Sequence, residues 1–144
     1  MHILIADDHA GVRHGLREIL ADTLSEARFS EAGDGNEVLN LVARSEFDLL
    51  LLDINMPGRG GLDVLRDVKR DYPRLPVIIV SVQPEDQYAT RCLREGAAAY
   101  INKDSAPEML APAVKKLLNG SRHNRPRIAE QQAIRLEEAI DEIG

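Results

Sequence analysis

Four consecutive leucines, Leu49 to Leu52, run without polar interruption into Asp53, and behind that acid come Met56-Pro57, Gly58, Gly60 and Gly61. An apolar run this short, closed by turn residues, predicts a strand buried on both faces, as found in parallel sheets with helices on either side. The strand ends at Asp53. In open α/β sheets the carboxyl ends of the strands form the edge where ligands and chemistry collect, so the rest of the chain is read as presenting Asp53 there.

The same plan recurs along the chain. Residues 2–6 form an apolar strand closed by Asp7-Asp8, and residues 10–22 carry Val12, Leu16, Ile19 and Leu20 at helical spacing. Residues 27–32 alternate weakly as a second strand, Gly33-Asp34-Gly35 is a turn, and residues 36–45 make a second amphipathic helix. A third helix spans residues 62–72 and stops at Pro73. Residues 76–81 form a fourth strand closed by Ser81. Residues 84–95 are helical in pattern but poor in apolar side chains, which predicts the most exposed and mobile helix. A fifth strand over residues 98–102 is closed by Lys103, and a last helix over residues 106–119 is capped by Gly120. This alternation predicts an α/β fold, a five-stranded doubly wound parallel sheet of flavodoxin-like type. Asp7, Asp8, Asp53, Ser81 and Lys103 then converge on one edge.

Composition narrows the function classes. With 144 residues and 44% hydrophobic content the chain reads as one domain, and with 3% aromatics and no Trp its core must be aliphatic. A net charge of −6 argues against direct nucleic-acid binding, which needs a clustered basic face. The single Cys92 excludes an internal disulfide and fits a reducing cytoplasm. No basic leader follows Met1 and no apolar run approaches the ~20 residues of a membrane span, so the expectation is a soluble, cytoplasmic chain with no membrane contact.

Three acids on one edge need a counter-charge, since two carboxylates at ~4 Å repel by about 4 kcal/mol at an effective dielectric near 20. Oxygen donors with room for water suit a hard divalent cation such as Mg²⁺, and no His or Cys cluster competes for a softer metal. Beside such an ion Asp53 can act as an oxygen nucleophile towards phosphorus. Lys103 supplies a point charge for phosphoryl oxygens and Ser81 a hydrogen bond.

At this point the pattern resembles a known family. Asp7-Asp8, Asp53 with Met56-Pro57 and Gly61, Ser81 and Lys103 are similar, over roughly residues 2–120, to the receiver domain of bacterial two-component response regulators. Asp7-Asp8-His9, Arg13, Gly15-Leu16, Ala32-Gly33-Asp34-Gly35 and Lys103-Asp104-Ser105 further resemble the NarL/FixJ-type subfamily, whose members usually carry a C-terminal helix-turn-helix domain. The resemblance implies that Asp53 accepts phosphate from a sensor histidine kinase. It implies Mg²⁺ held by Asp8, Asp53 and the Asn55 main-chain carbonyl, with Asp7 acting through water. It also implies a switch in which Ser81 moves inward, Tyr100 follows, and the surface of the fourth helix, fifth strand and fifth helix is reshaped. Three positions depart from the pattern. Ser81 stands where Thr is commoner, Asp104 rather than Pro follows Lys103, so a cis peptide is not expected, and Asn102 replaces an apolar residue without an evident role.

Singly, these residues have plainer readings. Asp7 or Asp8 alone could be a turn or cap residue, and Ser81 alone a cap; the joint pattern outweighs this. Tyr100 could be half-buried packing, Cys92 is read as packing, and His9 as a cap of the first helix rather than a ligand.

Beyond a receiver domain at residues 1–120, residues 121–127 are polar, basic and broken by Pro126, and read as a linker. Residues 128–144 carry Ala129, Ala133, Leu136, Ile140 and Ile143 in a short heptad seam. With basic residues before it and acids at its end, this helix is expected either to pair antiparallel with a second copy or to be a linker helix that packs on its own receiver or is cut short of an output domain. A homodimer through this helix or through the receiver surface is thus one expectation. Two rival functions remain on the sequence. One is a stand-alone receiver acting as a phosphorelay or interaction switch. The other is a haloacid dehalogenase-like phosphohydrolase, which needs a general acid two residues after the nucleophile, where this chain has Asn55.

Overall fold

A computed structural model describes residues 1–82 and 85–123, with the backbone alone described at residues 85–87 and 120–123. The 128–144 helix and most of the 121–127 linker lie outside the described residues. Five strands alternate with five helices: β1 (His2–Ala6), α1 (Ala10–Thr23), β2 (Arg28–Ala32), α2 (Gly35–Arg44), β3 (Leu49–Leu52), α3 (Gly61–Asp71), β4 (Val77–Ser81), α4 (Glu85–Arg94), β5 (Ala99–Asn102) and α5 (Ala106–His123). The strands are parallel in the order β2-β1-β3-β4-β5.

The central strand is buried on both faces, as its four leucines require. Leu50 and Leu52 join Leu4, Val77 and Ile79 under α2 and α3, with Val38, Val64, Leu65 and Val68 above them. Leu49 and Leu51 point the other way, into a layer formed with Ile3, Ile5, Ile78, Leu20, Leu110 and Val114 under α1 and α5. Two aliphatic cores thus cover the two faces of the sheet, and the acids emerge at its end.

Local chemistry sets several boundaries. Gly33-Asp34-Gly35 is more than a turn, because the Asp34 carboxylate accepts from the Glu37 amide at 2.8 Å and Glu37 accepts from the Gly33 amide at 3.1 Å. The first is the N-cap bond that starts α2, and the second reaches one residue past the cap, to Gly33, rather than back to the Asp34 amide. Gly61 opens α3 so close to Ile54 that a Cβ would collide with the Ile54 backbone, while its own amide donates to the Ile54 carbonyl at 3.2 Å. The described side chains that α4 buries are Cys92 and Leu93, in keeping with its thin apolar pattern. Gly96 follows α4 with φ of 107°, a conformation that favours glycine.

Two boundaries differ from expectation. Helix α5 does not stop at Gly120 but continues to His123, so the expected linker begins inside the helix. A glycine in a helix costs only about 1 kcal/mol relative to alanine, which the buried Leu110, Val114 and Leu118 of the same helix offset. His9 occupies the N-cap position of α1 but its side chain makes no capping bond; it turns instead to the neighbouring acids. Among the described residues no helix is long and apolar enough to cross a membrane.

Candidate functional site: an acid pocket at the carboxyl edge

Strand register assembles the site. Ala6 pairs with Leu52, so Asp7 and Asp53 are the next residues on neighbouring strands, and the Asp53 amide donates to the Ala6 carbonyl at 2.9 Å. Two strands across, Ser81 pairs with Asn102, and Lys103 follows at once. Lys103 opens a 3-10 turn, Lys103–Ser105, whose N-cap is Asn102: the Asn102 side-chain oxygen accepts from the Asp104 amide at 2.9 Å. That bond explains Asn102, which the sequence reading left without a role. Asn is a favoured cap residue, and an apolar residue there could not accept it. There is no cis peptide among the described residues.

The Lys103 ammonium lies 2.7 Å from Asp7 Oδ2 and 3.4 Å from Asp53 Oδ2. Both acids are almost fully buried, at 1% and 3% exposure, and Lys103 is at 15%. Asp7 Oδ1 accepts from the His9 amide at 2.9 Å. Asp7 Oδ2 faces the Lys103 ammonium at 2.7 Å and takes no other hydrogen bond among the described residues. Asp53 Oδ1 accepts from the Asn55 amide at 3.2 Å. Burial pushes the Asp53 carboxyl above the usual range; the Asn55 amide and the Lys103 charge oppose that, and the Asp7 charge reinforces it. Burial alone would lower the Lys103 ammonium, yet contact with Asp7 and Asp53 outweighs it and leaves the group above its ordinary value.

Asp8 stands at the mouth, with 29% of its side chain exposed, and meets His9 Nδ1 at 3.0 Å; the same nitrogen is 3.4 Å from Asp7 Oδ1. Among the described residues the ion pairs of Lys103 are with Asp7 and Asp53, not with Asp8. Ser81 is fully buried at the end of β4, and Tyr100 is half-buried against the core beneath α2 and α3. Cys92 is buried packing, its thiol pushed up to about 11 by burial. By sequence Arg13 falls on the polar face of the helical pattern at residues 10–22. In the structure its guanidinium donates to the Asp7 carbonyl at 2.6 Å and to Glu31 at 2.7 Å.

The donor chemistry fits a hard divalent cation. Asp7 and Asp53 share the Lys103 ammonium and Asp8 lies beside Asp7 at the mouth, an oxygen-rich set that carries more negative than positive charge. Donor atoms of Asp7, Asp8 and His9 lie within 4.8 Å of one another, so an acidic cluster exists at the rim.

Residues 3–115 match the family described as response regulator receiver domain. The chain is 35% identical over 133 residues to the response regulator GacA of Pseudomonas aeruginosa, covering 92% of this chain and 62% of that protein. Its fold is similar to that of the RcsB response regulator of Salmonella typhimurium, with a TM-score of 0.77 and 25% identity over 83% of this chain and 60% of that one. It is also similar to a CheY-like response regulator receiver domain protein from Methanospirillum hungatei JF-1, with a TM-score of 0.77 and 26% identity over 85% of this chain and 96% of that one. The chain therefore spans less than two thirds of GacA but nearly the whole of an isolated receiver. The chain belongs to the response regulator receiver domain family.

Proposed function

We propose that this receiver is a phosphorylation-controlled signalling switch that takes a phosphoryl group on Asp53 from a sensor histidine kinase in the cytoplasm. The observation that carries the reading is the buried Asp53 carboxylate sharing one ammonium with Asp7 at the sheet's carboxyl edge. Asp8, Asp53 and the Asn55 main-chain carbonyl would hold Mg²⁺, with Asp7 acting through a water. When bound, the ion supplies charge neutralisation for the transferring phosphoryl group.

The chain's own groups do the rest. An Asp53 carboxylate oxygen attacks the phosphorus of the kinase's phosphohistidine, the P–N bond breaks with its electron pair going to the imidazole, and an acyl phosphate forms. Lys103 stabilises the phosphoryl oxygens, and its partial release from Asp53 is the first local consequence of the transfer. The Ser81 hydroxyl donates to the new group, and Tyr100 follows Ser81, which alters the surface of α4, β5 and α5. The domain is a phosphoacceptor that catalyses at most its own phosphorylation and dephosphorylation. The likeness to RcsB, a response regulator described for its DNA interaction, supports a transcriptional output. DNA contact belongs to a helix-turn-helix output domain rather than to these acidic residues, and dimerisation to the receiver surface or the 128–144 segment.

The test is incubation with Mg²⁺ and acetyl phosphate. A hydroxylamine-labile adduct that is absent in Asp53→Asn supports the reading; an adduct that persists in Asp53→Asn, or steady hydrolysis of small phosphate esters, overturns it.

A further inference from the structure

We infer that Arg13 is a positioning residue for the acid pocket, and that Glu31 holds it in that role. The inference rests on the reading of Asp7 and Asp8 as acids that hold a divalent cation. The Arg13 guanidinium donates to the Asp7 carbonyl at 2.6 Å, while its amide makes the first helical bond of α1, to the His9 carbonyl at 3.1 Å, which any side chain at this position would keep. The Asp7 amide is meanwhile held by the Ala32 carbonyl at 3.0 Å. The peptide between Asp7 and Asp8 is thus fixed by a side chain, just where the last ladder bond of β1 has been used.

Glu31 accepts from Arg13 Nε at 2.7 Å. This bond turns the guanidinium towards a carbonyl and away from the acids' carboxylates, where it would compete with a cation. Arg17 also reaches Glu31, at 3.5 Å, but it lies over the Phe29 ring and makes no hydrogen bond or ion pair to Asp7 among the described residues. Arg17 is therefore a matched control, with the same charge, helix and acidic partner but no hold on the pocket.

The sign of the effect separates positioning from simple charge. Removing a cation near an acid pocket should tighten Mg²⁺ binding, whereas removing a clamp on the ligands should weaken it. Mg²⁺ is titrated calorimetrically into the full chain and into Arg13→Met, Arg13→Lys, Glu31→Gln and Arg17→Met. Phosphorylation by acetyl phosphate is measured against Mg²⁺ concentration in parallel. In Arg13→Met the dissociation constant and the half-maximal Mg²⁺ concentration should both rise about tenfold, with the rate at saturating Mg²⁺ within about twofold of the parent. Arg13→Lys, which keeps one of the two bonds, should recover part of the loss, Glu31→Gln should weaken binding, and Arg17→Met should bind as the parent does.

Equal or tighter binding in Arg13→Met, or an equal loss in Arg17→Met, overturns the inference while leaving the phosphoacceptor reading intact. If Arg13→Met does not fold, the same decision is taken on Arg13→Lys and Glu31→Gln. A parent protein that binds no Mg²⁺ removes the cation reading and this inference with it.

Discussion

Replacing Lys103 by methionine keeps the stem of the side chain and removes the cation that Asp7 and Asp53 share. At an effective dielectric near 20, an ammonium at 2.7 Å and 3.4 Å from the two carboxylates contributes roughly 6 and roughly 5 kcal/mol of direct attraction. Desolvation offsets much of that sum. The net loss on removing one partner of a buried ion pair is about 3–5 kcal/mol, because the remaining charges stay buried and uncompensated. For a domain of this size that lowers the melting temperature by about 10 °C or more. Lys103→Met, Asp53→Asn and the double variant are melted at neutral pH in chelator. The single Lys103 variant should lose this stability, and Asp53→Asn in the same background should restore part of it by removing one stranded carboxylate. Mg²⁺ should stabilise Lys103→Met more than the parent, since the bare acids bind it more tightly. Equal melting of parent and Lys103→Met at pH 7, or a deficit that Asp53→Asn leaves unchanged, would refute this account of the pocket.

Stability should also depend on Asp53 titration. Its folded pKa is raised above the ordinary 3.8, so its contribution is fully present below that pH and lost as pH rises through the folded value. Asp53→Asn should therefore be more stable than the parent at neutral pH, with the gain vanishing below pH 3.8, and a gain independent of pH would contradict the burial argument. Gly61→Ala should lose about 1–3 kcal/mol in denaturant titration, because its Cβ meets the Ile54 backbone. Gly60→Ala, whose Cβ has its nearest neighbour at 3.8 Å, should lose much less, and equal losses would mean that the close approach is relieved without strain. Cys92, buried with its thiol pushed up to about 11, should react with thiol reagents at mildly alkaline pH only as fast as its surroundings open. Rapid labelling of the native protein would contradict this.

Much of the fold was legible because burial and pattern agree. Leu49 to Leu52 could only be a strand covered on both faces, and the acid, hydroxyl and lysine closing β1, β3, β4 and β5 could be assigned to one edge before any distance was known. What escaped lay in bonds that periodicity does not encode. Asn102 is a cap for the turn that carries Lys103, a role visible only once the 3-10 turn is seen. Asp34 and Glu37 did carry a readable signal, an acid followed three residues later by Glu, but the flanking glycines made the segment read as a plain turn. Arg13 was hidden for a different reason: its partners are a main-chain carbonyl and an acid on another strand, and a helical wheel shows only an exposed polar position. The helical course through Gly120 shows the converse, a strong local stop overridden by tertiary packing of the preceding turns.

The position of β5 has a mechanical consequence. Among the described residues it is an outer strand, bonded to β4 alone, whereas β1 and β3 have neighbours on both sides. Asp7 and Asp53 are therefore mounted on an anvil, and Lys103 on the free leaf of a hinge. On the proposed phosphorylation of Asp53, a change of charge between them would move the leaf before it moved the centre of the molecule.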